Sequence, residues 1–299
     1  MTNESHPFVL ALVQMSSADD PDVNVEAALD LCRDAIQRGA DVVCLPELFR
    51  SRYFCQTEEH TVFDLAEPIP SPTTARFSAL AREAGIVIGL PVFERRASGV
   101  YHNSFVILDT DGTHAGLYRK MHIPDDPRFY EKFYFTPGDL GFQTIHTRKA
   151  SLGPLICWDQ WYPEAARLTA LAGASTLLYP TAIGWLPEEK AEAGEIQRDA
   201  WITVQRGHAI ANNVYVATVN RIGFEAIPGM LETGIEFWGS SFICDPQGQI
   251  LAQASSVNEE ILLAEIDPAR IEAKRREWPF LRDRRIDAYG GMTQRFLDG

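Results

Sequence analysis

No run in this 299-residue chain approaches the ~18 apolar residues that a membrane-spanning helix needs. That excludes an integral helical membrane protein. Basic clusters are also missing, and the formal net charge is −14, so neither nucleic acid nor a membrane surface is an expected partner. The acidic balance leaves two readings open, attraction of a cationic substrate or solubility alone. Cysteine is sparse. Five residues, Cys32, Cys44, Cys55, Cys157 and Cys244, form no CxxC pair and no zinc spacing. An odd, scattered set fits free thiols in a reducing cytoplasm, and it implies no metal and no cofactor. The N-terminus has no basic region ahead of its apolar residues, and Gln14 interrupts them, so Phe8–Met15 reads as a first strand and not as a signal peptide. No linker, repeat or low-complexity stretch divides the chain. Residues 1–299 therefore read as one domain, with the tail 267–299 packing on the body or on a neighbouring subunit through Trp278, Phe280, Leu281 and Tyr289.

What the chain does have is alternation of strand and helix signals. Val25, Ala28, Leu29, Cys32 and Ile36 recur at helical spacing, and Gly39 closes that segment. Asp41–Pro46 reads as a short buried strand, Thr73–Ala84 as a helix stopped by Gly85, and Ile86–Phe93 as a strand. Asp111-Gly112 marks a hairpin between Val100–Leu108 and Thr113–Tyr118. A long irregular stretch, Lys120–Asp139, has the length at which loops tend to be functional. Further on, strands are expected at 142–147, up to Cys157, and at 175–179, 214–220, 237–244, 249–254 and 261–266. Helices are expected at 163–171 and 195–213, the latter with Ile196, Ala200, Val204, His208 and Ala211 on one face. Such mixed units predict a layered α/β protein.

Cys32, Cys44 and Cys244 fall within apolar patterns and read as core. Cys157 does not. It ends the run Leu155-Ile156-Cys157, and Trp158-Asp159-Gln160 follow at once, ahead of a helix. A thiol there is either a buried small hydrophobe or a nucleophile whose thiolate nearby helix N–H groups would favour. None of the seven histidines completes a Cys–His pattern. A carboxylate base with a lysine for the oxyanion is the other device. Glu47 and Lys120 each stand just past a strand, where an ordinary solvated charge is the competing reading.

Three motifs now come in order: PEL at Pro46–Leu48, RKMHIP at Arg119–Pro124 and ICWDQWYPE at Ile156–Glu164. Together they resemble the nitrilase superfamily of carbon–nitrogen hydrolases, and the resemblance runs from the first strand to about Asp287. It implies a four-layer αββα sandwich, a homo-oligomer built from dimers, and an amidohydrolase. Residue by residue, it implies Cys157 as nucleophile and Glu47 as general base. Lys120 and the Trp158 backbone N–H would receive the oxyanion, and Glu131 would hold the lysine and line the pocket. Physically, two carboxylates would keep Lys120 charged, and the ammonium would favour a Cys157 thiolate.

The stretches KMHIPDDPRFYEKFYFTPGDLGF, YPTAIGW and FWGSSF resemble the branch of that superfamily that acts on a carbamoylated diamine, N-carbamoylputrescine. The alternatives are N-carbamoyl-β-alanine, an N-carbamoyl amino acid or an ω-amide. A non-catalytic binder on the same scaffold is the reading from another class, and the intact Glu47, Lys120, Glu131 and Cys157 oppose it. A diamine's far ammonium calls for acids or aromatic faces. Tyr53, Asp125, Asp126, Tyr130, Trp158, Trp185 and Glu188 are the candidates by position, although Asp125 and Asp126 could simply shape a turn before Pro127. Trp161, Trp201 and Trp238 read as packing. Arg128 departs from the family, which often has Gly there. It is expected to face solvent. Turned inward, it would repel a diamine and welcome a carboxylate.

Overall fold

A computed structural model describes residues 6–298. Two six-stranded sheets form its centre. The first has the order Glu260–Ile266, Phe8–Gln14, Val42–Cys44, Val87–Ala97, Val100–Leu108, His114–Arg119. The second has the order Ile250–Gln253, Phe242–Cys244, Tyr215–Val219, Thr176–Pro180, Ser151–Pro154, Ile145–His146. The middle of each sheet is parallel, with Leu10 opposite Val42 and Tyr215 opposite Thr176. Strands buried on both faces read as continuous apolar runs, as in Val42-Val43-Cys44. Alternate residues divide between two cores. Leu10, Leu12, Val42 and Cys44 cluster with Leu152, Leu177 and Val216 of the other sheet. Ala11, Val13 and Val43 cluster with Val25, Leu29, Cys32 and Phe77 of the helices Pro21–Gln37 and Pro72–Ala84. Helices Pro163–Leu171 and Pro187–Asn212 cover the second sheet. The result is the αββα sandwich.

The helix starts follow local chemistry. Asp20 and Ser71 cap their helices through side-chain oxygens, Pro follows each cap, and Gly85 ends the second helix at φ 67. The hairpin closes as expected, Gly112 N–H donating to Asp109 O at 2.8 Å.

Three expectations need correction. The long helix begins at Pro187, eight residues before the expected start, because Pro-Glu-Glu-Lys is a good helix opening that carries no apolar period. Its buried face is Trp201, Gln205, His208, Ala209 and Asn212, whereas Ile196 is 72% exposed. The expected strand 237–244 is two strands. Met230–Trp238 pairs with Ile222–Ile227 and Gly184–Trp185, and after a break at Gly239 and Ser240, both at positive φ, Phe242–Cys244 enters the second sheet. The tail holds a further helix, Pro268–Glu277, anchored by buried Ile271. Beyond it Trp278, Phe280, Ile286 and Phe296 are exposed. All five cysteines are free and buried. No helix among the described residues is long and apolar enough to cross a membrane.

Candidate active site

Glu47, Lys120 and Cys157 lie on three segments that leave strand ends. The first is on the segment after Val42–Cys44, the second directly follows His114–Arg119, and the third stands three residues beyond Ser151–Pro154. The fold brings the two charged groups into contact. Lys120 Nζ donates to Glu47 Oε1 at 2.8 Å and to Glu131 Oε2 at 2.6 Å, and all three side chains are fully buried. Asn103 Nδ2 donates to Glu47 Oε1 at 2.7 Å, and Tyr53 OH donates to Glu131 Oε1 at 2.7 Å. Glu47 Oε2 is buried and has no partner among the described residues. A buried carboxylate oxygen without a donor is costly.

Burial works against the Lys120 ammonium, yet Glu131 and then Glu47 outweigh it, so the lysine is held charged well above its ordinary range. Glu131 is pushed up to about 7, first by burial, with Lys120 opposing. Cys157 is 4% exposed, and its Sγ faces the Ala182 carbonyl at 3.9 Å. Here the expectation of a ready thiolate is corrected. Burial raises the thiol well above its ordinary range, Glu47 adds to this, and Lys120 only partly compensates. The helix starts at Pro163 as expected, and Cys157 opens a short 3₁₀ turn ahead of it, Cys157–Trp161.

Of the five described non-glycine residues at positive φ, two belong to the turns that carry Glu47 and Cys157: Leu48 at φ 51 and Cys157 itself at φ 40. Such conformations persist only where surroundings impose them. Buried Asp159 does so for the cysteine turn. Its Oδ2 accepts from Ile156 N–H at 3.0 Å and Tyr118 OH at 2.8 Å, and its Oδ1 accepts from His122 N–H at 3.1 Å and contacts His122 Nδ1 at 2.7 Å. Buried Arg221 does so for the glutamate turn. Its guanidinium donates to the carbonyls of Glu47 at 2.7 Å, Leu48 at 2.9 Å and Ser51 at 3.1 Å, and pairs with Glu225 at 2.8 Å. Asn103, Asp159, Arg221 and Glu225 were not foreseen. A single sequence shows a polar residue in an apolar strand but not the distant carbonyl it will serve.

Cys157 and Glu131 border a cavity of about 460 Å³ whose walls include Trp158, Trp161, Trp238, Phe129, Asp126 and Glu189. Trp158 is thus where the sequence placed it. Trp161 and Trp238, read as packing, are cavity walls as well, while Trp201 is fully buried against Trp238 and Phe242. The other substrate candidates stand elsewhere. Tyr53 lies behind Glu131. Trp185 is buried, with Nε1 donating to Gly194 O at 2.8 Å. Asp125 and Tyr130 are not among the wall residues, and Glu188 is taken up by Arg128, at 2.6 Å. Arg128 in turn neither faces solvent freely nor enters the cavity; its side chain is 18% exposed within that pair. Among the described residues, no group of His, Cys, Asp and Glu could hold a metal ion.

Glu131 and Cys157 thus border the cavity, with Lys120 and Glu47 bonded behind Glu131. The carbon-nitrogen hydrolase family model matches residues 9–276. The chain belongs to that family and is a hydrolase of carbon–nitrogen bonds. It is 46% identical over 285 residues to an N-carbamoylputrescine amidase of Arabidopsis thaliana, covering 94% of this chain and 93% of that protein. It is 39% identical to a citrullinase of Francisella tularensis, with 96% and 98% covered. A crystal structure of a carbon-nitrogen hydrolase from Helicobacter pylori superposes with a TM-score of 0.94 at 49% identity, over 98% of this chain and 100% of that one.

Proposed function

We propose that this chain hydrolyses N-carbamoylputrescine to putrescine, carbon dioxide and ammonia. The observation that carries the substrate reading is the charge of the cavity wall. Its charged side chains are Asp126, Glu131 and Glu189, all acids, and Glu131 is already occupied by Lys120 and Tyr53. The rest is largely apolar: Trp158, Trp161, Trp238, Phe129, Leu186 and Ile183. Such a slot suits a methylene chain ending in an ammonium. A carbamoyl amino acid would bring a carboxylate against acids, which disfavours it.

The chemistry follows from the free oxygen on Glu47. It takes the Cys157 thiol proton as Sγ attacks the carbamoyl carbon, so a preformed thiolate is not required. The Lys120 ammonium and the Trp158 backbone N–H receive the negative charge that develops on oxygen. Collapse breaks the bond to the alkyl nitrogen, and Glu47 returns the proton to that amine. A carbamoyl thioester on Cys157 remains. Water then attacks it, giving its proton to Glu47; the C–S bond breaks, Glu47 returns that proton to Sγ, and the released carbamic acid decomposes to carbon dioxide and ammonia. Glu131 keeps Lys120 charged and in place. The same reading makes the protein a cytoplasmic homo-oligomer, in which a second copy covers the exposed tail apolars Trp278, Phe280 and Phe296.

The test is release of ammonia and amine from N-carbamoylputrescine, N-carbamoyl-β-alanine and citrulline at equal concentration. A clear preference for the diamine derivative supports the reading. Preference for either acid overturns the substrate assignment while leaving the family chemistry in place.

A further inference from the structure

One residue at the cavity mouth has a backbone conformation that its side chain disfavours. Arg128 sits at φ 65, in the left-handed region. Its guanidinium accounts for the exception. Nη2 donates to Glu188 Oε1 at 2.6 Å, and Nη1 donates to Glu188 Oε2 at 3.1 Å and to the Gly234 carbonyl at 2.9 Å. This forked geometry is specific to arginine facing a carboxylate. Three separate segments meet there: the loop carrying Asp126 and Phe129, the start of helix Pro187–Asn212 carrying Glu189, and strand Met230–Trp238, which ends on Trp238. Each contributes cavity wall, yet Arg128 and Glu188 themselves do not line it.

We propose that Arg128 is a positioning residue for substrate selectivity. Its clamp fixes the three walls relative to one another and uses up the Glu188 carboxylate, which leaves Asp126 and Glu189 as the rim acids that meet a far ammonium. The inference rests on the diamine reading above. It is distinct from a stability role, because a pair whose glutamate is 54% exposed adds little to folding. The catalytic groups are held by other contacts, from Asn103, Tyr53 and Arg221. Loss of the clamp should therefore appear in binding and not in the chemical step.

The test uses Arg128→Gly, which suits the observed φ, and Glu188→Gln, which leaves the backbone alone. Substrates are N-carbamoylputrescine and N-carbamoylbutylamine, which lacks the far ammonium. Each variant should raise KM for the diamine derivative about fivefold with kcat changed less than about twofold. Preference over the butyl compound should shrink, and the double variant should be no worse than either single one. Unchanged KM and preference in both variants overturn the proposal. So does a kcat loss matching the KM change together with a lower unfolding midpoint, since that is structural damage. If Arg128→Gly does not fold, Glu188→Gln alone decides. Should the wild type favour a carbamoyl acid, the diamine reading fails and selectivity for a far ammonium fails with it. An undisturbed KM for that acid in both variants would then dispose of the clamp too.

Discussion

Glu47→Gln separates the acidity of the Cys157 thiol from its usefulness in turnover. In the native site burial is the largest cause raising the thiol, and the Glu47 charge is the next. An amide of the same shape removes that charge while Lys120 keeps Glu131 at 2.6 Å. A nearby buried charge moves a pKa by roughly 1–3 units. Below the pKa, each unit gives about tenfold more thiolate, and the weaker base loses part of this through a Brønsted slope of about 0.4–0.5. Alkylation by iodoacetamide should therefore quicken about threefold per unit, or roughly three- to thirtyfold in all. Turnover should fall by about 10²–10⁴, the usual worth of a positioned base. The assay is the labelling rate of Cys157 read by peptide mapping, beside ammonia release on the same samples. In the wild type, labelling should still climb at about pH 9. Slower labelling in Glu47→Gln, or a wild-type plateau near neutrality, would refute the reasoning about how this thiol is governed.

Arg221→Met should cost about 3–5 kcal/mol in urea unfolding, because Glu225 would remain buried without its partner; a loss under 1 kcal/mol contradicts the role given to that guanidinium. Asp159→Asn turns an amide toward a site ringed by donors, and should cost about 2–3 kcal/mol and lower kcat. Unaltered kcat would show that the cysteine turn holds itself. Glu131 has a folded pKa raised from 4.5 to about 7, so the folded state binds the extra proton between those values. Stability contributed by this group should fall as pH rises through that window, and Glu131→Gln should flatten that slope in urea titrations. An identical slope in the variant contradicts the assignment.

Much of the scaffold was readable because its signals are local. Apolar runs marked the strands, and Pro or Gly marked helix ends such as Pro163 and Gly85. The helix Pro187–Asn212 began earlier than expected because its first turns are polar and bury little, so no period announces them. The strand 237–244 split because Gly239 and Ser240 carry the chain between two sheets, a tertiary demand to which the Gly-Ser-Ser interruption at 239–241 was the only local clue. In the candidate site, Glu47, Lys120 and Cys157 drew notice from motifs at strand ends, and Glu131 only from the family resemblance. Their supports did not, because Arg221 meets Glu47 across 174 positions and Asp159 meets Tyr118 across 41. The thiol's acidity was misjudged for a related reason. Motifs show that a lysine is near, but burial and the two carboxylates that offset it are properties of the folded cavity.

The most direct test of the central claim is rapid-quench mass spectrometry of the enzyme during turnover of N-carbamoylputrescine, with peptides mapped around Cys157. A single carbamoyl group on Cys157, appearing and decaying at the rate of ammonia release, is the predicted result. Consumption of substrate with no covalent species there, or undiminished turnover by Cys157→Ala in the same experiment, would contradict it.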